Sequence, residues 1–158
     1  MEVLPLIQDI CDLNNNVWDN KHGSYSDFTE DSMQMEEVLE GYDLNSFEDY
    51  FPDRFEEGSS PSAKEVAIFI TNIAMNSGNE EINDVDRFDK HIDGIYVHIG
   101  ALHKLGLTPD QMIRGLEVVH AANKQKSGTK DENGKVIKPE GFVEPEPQLQ
   151  LILDERTI

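Results

Sequence analysis

The sequence predicts an all-α fold, a multi-helix bundle followed by an irregular C-terminal arm. Three observations point there. Apolar residues recur every three or four positions through five separate segments, which is the period of one helix face. Helix-start signatures open two of these segments, Ser62-Ala63-Lys64-Glu65 and Thr108-Pro109-Asp110-Gln111. Gly78 and Gly106 stand where two of them stop. At 158 residues the whole chain, 1–158, is read as a single domain with a real core.

The first helix is expected over residues 5–18, because Leu6, Ile10, Leu13 and Val17 share a face. Cys11 lies among them and is expected to be a small buried apolar residue rather than a nucleophile. Residues 19–26, with Gly23, read as a loop. A second helix should run from Ser26 or Asp27 to Tyr42, burying Met35, Val38, Leu39 and Tyr42, with Met33, Glu36, Glu37 and Glu40 on adjoining faces. Residues 44–62 are acidic and broken by Pro52, Gly58 and Pro61, a long connection with room for a helical turn at Phe47–Tyr50. Ser62 then caps a strongly apolar helix that ends near Gly78.

The fourth helix is predicted from Asn83 to Leu105. Phe88, Ile92, Ile95, Ile99 and Leu102 form a sustained seam, and Asp86, Asp89, Asp93, Tyr96 and Gly100 form the stripe beside it. Its acids thus flank the apolar face, as a site between packed helices requires. Thr108 caps the fifth helix, with Pro109 at its first position, and the pattern continues through Met112, Leu116, Val119 and Ala122 to Gln125. Residues 127–158 form the arm: Asn133-Gly134 signals a tight turn, Pro139, Pro145 and Pro147 keep the chain extended, and a short closing helix fits Pro147–Asp154.

Charge narrows the function classes. Residues 1–60 hold sixteen acids and two basic residues, whereas residues 101–158 hold nine and eight, within a chain of net charge −19. A protein that grips nucleic acid carries a basic footprint, so direct nucleic-acid binding is not expected. The apolar-leaning stretch Val66–Met75 is too short to span a bilayer, so no membrane association is expected. No signal peptide is evident, and the lone Cys11 has no disulfide partner within the chain. A cytoplasmic location follows as the expectation.

Two acidic runs carry the chemistry. Glu36-Glu37-Val38-Leu39-Glu40 reads EExxE, and Asp89 and Asp93 stand four apart ahead of Gly94-Ile95-Tyr96-Val97. On a helix, residues three or four apart share a face, where like charges repel unless a cation sits among them. Hard divalent ions suit such ligands, and Mg²⁺ favours a few carboxylates plus substrate phosphates over a closed protein cage. A solvated acidic face accounts for the same residues without chemistry. The histidines His91, His98, His103 and His120 make no metal-binding pair and read as surface or packing residues. Phe88 and Tyr96 read as core rather than as base-stacking rings. Asp84 and Asp86 belong to a helix start, where acids suit the macrodipole.

These motifs resemble the all-α nucleoside triphosphate pyrophosphohydrolase superfamily, which includes the MazG proteins, the phosphoribosyl-ATP pyrophosphohydrolases and the all-α dimeric dUTPases. The stretch Asp93-Gly94-Ile95-Tyr96-Val97-His98-Ile99-Gly100, followed by Leu105-Gly106-Leu107, is similar to that group's aspartate-led helix and glycine turn. Ala122-Asn123-Lys124-Gln125-Lys126 and the run Asp131–Pro139 resemble a tail of phosphoribosyl-ATP-pyrophosphohydrolase-like members, several of them phage-encoded. The likeness covers residues 33–40 and 86–139. One departure concerns the second motif, usually ExxD: Lys90 stands at the expected Glu, with Asp89 beside it.

The resemblance implies Mg²⁺, or Mn²⁺, held by Glu36, Glu37, Glu40, Asp89 and Asp93, with one Glu acting as base toward the attacking water. It implies hydrolysis of a (deoxy)nucleoside triphosphate to monophosphate and pyrophosphate, with Asn123, Lys124, Lys126, Lys135 and Lys138 on the phosphates. It also implies a homodimer or homotetramer, and the seam of the fourth helix would suit that burial. Lys90 leaves room for a member that binds nucleotides without turning them over. The acidic first sixty residues allow a third class, an interaction protein that imitates nucleic-acid charge.

Overall fold

The computed structural model of the chain describes residues 3–17, 23, 25–56, 58–78, 82–126, 128–129 and 136–156. Among them are six α-helices and no strand: α1 (Val3–Asn16), α2 (Asp27–Leu39), α3 (Ala63–Ser77), α4 (Asp84–Lys104), α5 (Pro109–Gln125) and α6 (Glu146–Asp154). A 3-10 turn occupies Phe47–Tyr50, where the sequence left room for one. The fold is all-helical. The helices fall into two compact units, Gly23–Ile82 and Met1–His22 together with Asn83–Ile158. The Asn133-Gly134 turn and Lys135 lie outside the described residues.

In the Gly23–Ile82 unit α2 packs on α3. Phe28, Ser32, Met35 and Leu39, spaced four-three-four, are the half-buried face of α2, while Val66, Ala67 and Thr71 are buried on α3. The helix is shorter than the spacing predicts: it ends at Leu39, and Tyr42 and Val38 are exposed. Backbone hydrogen bonding stops at the Gly41-Tyr42 turn, so Tyr42 never reaches the stripe it was expected to extend.

The acidic connection is anchored by aromatic rings. Phe47 stacks on Phe51 at 5.1 Å, and Phe51 and Phe55 meet Phe69 of α3 edge-on at 5.0 and 5.5 Å. Edge-to-face contacts satisfy the ring quadrupoles as well as removing area from water. The acids of this segment therefore ride on an apolar attachment invisible to their charge.

The α3 start is the predicted capping box. Ser62 N–H donates to Glu65 Oε2 at 2.8 Å, and Glu65 N–H donates to Ser62 Oγ at 3.3 Å. The first of these bonds chiefly holds the Glu65 carboxyl below its ordinary value. Ser62→Ala is expected to cost about 1 kcal/mol in urea unfolding, because two helix-end donors lose their partners' geometry together.

In the other unit α5 is the hub, packed on α1, α4 and α6. Gly106 ends α4 as expected, at φ 88°. Its N–H donates to His103 O at 2.9 Å and Leu107 N–H to Leu102 O at 3.2 Å, the paired closure that a left-handed residue makes possible. Leu107 is buried by this turn, and Thr108, Pro109 and Gln111 start α5 as a second capping box. Gln111 Nε2 donates to Ile152 O at 3.2 Å, Arg114 pairs with Glu155, and Arg156 donates to Leu105 O, so the C-terminal end of α6 is fastened beside the start of α5. The arm begins at Gly128, which lies so close to the Val17 carbonyl that any Cβ would collide with it.

Two expectations are corrected here. Cys11 is exposed, because the buried face of α1 is centred on Leu6 and includes Asp9 and Ile10, with Cys11 turned away. Phe88 and Tyr96 are exposed rather than packed, since α5 covers only a short part of α4.

Candidate functional site

Each carboxylate run lies on regular helix. Glu36 and Glu37 belong to the last turns of α2, and Glu40 is its C-cap, donating its backbone N–H to Glu36 O at 2.9 Å. Glu36 is half-buried, whereas Glu37 and Glu40 face solvent. One turn therefore presents Glu36 and Glu40 in line with Glu37 beside them, as the EExxE spacing requires. On α4, Asp89 and Asp93 are exposed one turn apart, and Lys90 next to Asp89 is half-buried. Among the described residues no hydrogen bond or ion pair engages the side chains of Glu37, Glu40, Asp89 or Asp93. The two runs fall in different units. Within either unit, among the described residues, no three His, Cys, Asp or Glu side chains converge closely enough to hold a metal ion.

The helix-start reading of Asp84 and Asp86 agrees with the structure. Asp86 closes a capping box with Asn83, and Asp84 pairs with Arg87 at 2.8 Å.

The lysines have definite settings. Asn123 and Lys124 close α5 and Lys126 caps it. Lys138 donates to both oxygens of Glu144, at 2.8 and 3.0 Å, and lies 4.9 Å from the Phe142 ring centre. Its arm is tied back to α5 by Val143 N–H donating to Gln125 Oε1 at 3.0 Å.

Sequence reasoning missed a cluster where α1 meets α5. Lys124 Nζ donates to Asp9 Oδ2 at 2.8 Å, and the buried His120 places Nε2 at 3.1 Å from the same oxygen. A cavity of about 230 Å³ opens beside them, lined also by Leu6, Glu117 and Ala121. His120 and Lys124 share a helix face at i, i+4, a signal that was available. Asp9 is more than a hundred positions away, and no local pattern announces it. Glu48 was missed too: it is buried in the 3-10 turn, and its Oε2 has no hydrogen-bond partner among the described residues.

The hydrogen bond from Lys124, then that from His120, holds the Asp9 carboxyl below its ordinary 3.8. A depressed carboxyl stabilises the fold fully above its unfolded value, and that contribution is lost as pH falls through the folded value. Asp9→Asn is thus expected to lower the thermal midpoint near neutrality, with the gap from the parent closing below pH ~4. Parallel melting curves across acid pH check this, and a gap that stays constant would refute it.

No family model, curated protein or solved structure matches this chain. No helix among the described residues is long and apolar enough to cross a membrane.

Proposed function

We propose that this protein is a Mg²⁺-dependent nucleotide pyrophosphohydrolase of the all-α type, cleaving a (deoxy)nucleoside triphosphate to monophosphate and pyrophosphate. The observation that carries the reading is the setting of Glu37, Glu40, Asp89 and Asp93: exposed on two helices and engaged by no protein cation among the described residues. Such carboxylates repel one another at helical spacing, and a divalent ion relieves that repulsion. Glu36, Glu37, Glu40, Asp89 and Asp93 are the proposed ligands, with Mn²⁺ as an alternative ion. When bound, the metal would neutralise phosphate charge and lower the pKa of a coordinated water. One glutamate of the α2 run would hold the proton that this water gives up.

Lys124 is the best-positioned phosphate contact, because Asp9 fixes an ammonium that keeps half its surface in solvent (51% exposed). A triphosphate would compete with Asp9 for that charge. Asn123, Lys126 and Lys138 stand on the same helix end and the arm tied to it, and Lys135 completes the proposed set. The active form would be a cytoplasmic homodimer or homotetramer.

Lys90 favours a second reading, a member that holds nucleotides without turnover, since its ammonium would supply positive charge in place of one ion. Pyrophosphate release from a panel of nucleoside triphosphates, with and without Mg²⁺, decides between them. Release that requires Mg²⁺ supports hydrolysis. Binding without release supports the second reading, and indifference to every nucleotide defeats both.

A further inference from the structure

We propose that the cleft along α5, bordered by α1 and α6, binds a free α-amino acid with an apolar side chain. The cleft has two compartments. The smaller, about 230 Å³, is lined by Asp9 of α1 and by His120 and Lys124 of α5, beside the buried Leu6. The larger, about 590 Å³, is walled by Val118 of α5 and by Leu151 and Ile152 of α6. Glu117 and Ala121 line both, so the compartments adjoin across them. Arg114 also borders the larger one, but its guanidinium is taken up by Glu155 and Asp110.

The charges of the smaller compartment select the head group. Its lining holds one lysine, Lys124, and two carboxylates, Asp9 and Glu117. A plain anion would meet both carboxylates, and a plain cation would meet Lys124. A zwitterion meets an opposite charge at each end. The ion pair already present leaves room for one. Lys124 Nζ and His120 Nε2 both engage Oδ2 of Asp9, at 2.8 and 3.1 Å, so Oδ1 is the oxygen left to accept from a ligand ammonium. Lys124 keeps further N–H donors for a ligand carboxylate, and half of its surface is open to solvent. Bound in this way, the ligand adds to the pair rather than breaking it, and closes a ring of alternating charge. His120 is a positioning residue: it is buried, and its bond holds the Asp9 carboxylate in place.

The larger compartment selects the side chain. The smaller one lies below the range of about 300–1,000 Å³ that drug-sized ligands occupy, so it suits a head group alone. In an α-amino acid one carbon carries both charged groups and the side chain. With the head held at Lys124 and Asp9, the side chain passes the small, exposed Ala121 and reaches Val118, Leu151 and Ile152, which remove it from water. The inference is independent of nucleotide turnover. Lys124 would serve one ligand at a time, so the test uses no nucleotide.

Titration calorimetry of the intact chain, without nucleotide or Mg²⁺, should show leucine binding at least about tenfold tighter than glycine. Isocaproate lacks only the ammonium of leucine, and isoamylamine lacks only its carboxylate. Each should bind at least about tenfold more weakly than leucine, because each loses one charge-assisted contact. Ala121→Trp, at an exposed position, fills the passage between the compartments and should abolish leucine binding while keeping the parent's melting temperature. Lys124→Met should weaken leucine by at least about tenfold and isoamylamine not at all. Leucine that fails to bind overturns the proposal. So does glycine or either analogue binding as tightly as leucine, or leucine binding that survives Ala121→Trp.

Discussion

Replacing Glu40 by Gln is expected to reduce Mg²⁺-dependent pyrophosphate release by at least about a thousandfold, because a lost metal ligand removes several kcal/mol of charge stabilisation from the transition state. Glu40 is exposed at the end of α2, and its role in the helix is a backbone one, the N–H donated to Glu36 O. Gln keeps that bond, the side-chain shape and a similar helix propensity, so the fold should tolerate the change. The two accounts of the acidic run predict opposite results. If EExxE is only a solvated face, removing one charge relieves repulsion and stabilises the protein by about 0.2–0.5 kcal/mol, with Mg²⁺ irrelevant. If the run holds a cation, Mg²⁺ raises the melting temperature of the parent and not of Glu40→Gln. Asp93→Asn on α4 should behave alike. A variant that keeps full release removes Glu40 from the site.

Phe69→Ala is expected to destabilise the Gly23–Ile82 unit by about 2–4 kcal/mol, the lower part of the range for a truncated core aromatic because the ring is half-buried. Phe69 receives Phe51 at 5.0 Å and Phe55 at 5.5 Å, and the Arg54 guanidinium carbon lies 5.8 Å from its ring centre. Its removal strips three contacts from one side chain and releases the 3-10 turn from α3. Hydrogen exchange separates this from a general loss of stability. Amides of residues 47–55 should exchange faster in Phe69→Ala, while those of α5, in the other unit, should not. Phe69→Leu keeps most of the volume and should cost about 1 kcal/mol. Equal loss of protection in α5 would show that the two units unfold together.

The helix boundaries were legible because capping is local. Ser62 with Glu65 and Thr108 with Gln111 exchange hydrogen bonds across three residues, and Gly106 closes α4 through carbonyls within five, so residue types at short offsets suffice. The sequence left room for the 3-10 turn at Phe47–Tyr50, but no side-chain cap marks it. The lower end of α2 was not legible. Its apolar period runs on to Tyr42, while the backbone turns after Leu39, and periodicity alone does not register a stop.

Residue type and spacing along the chain were enough to place five helices and leave room for a sixth, to mark the capping boxes of α3 and α5, and to set two carboxylate runs at helical spacing. Packing settled which faces those helices cover, because burial depends on neighbours that no short window contains. Cys11 looked interior and lies outside; the α4 seam has the period of a core and is open within its unit; Lys124, with no local sign of a partner, donates to Asp9 beside His120. Hydrogen bonds between near neighbours follow from the order of residues. Contacts between distant ones exist only once the chain has folded.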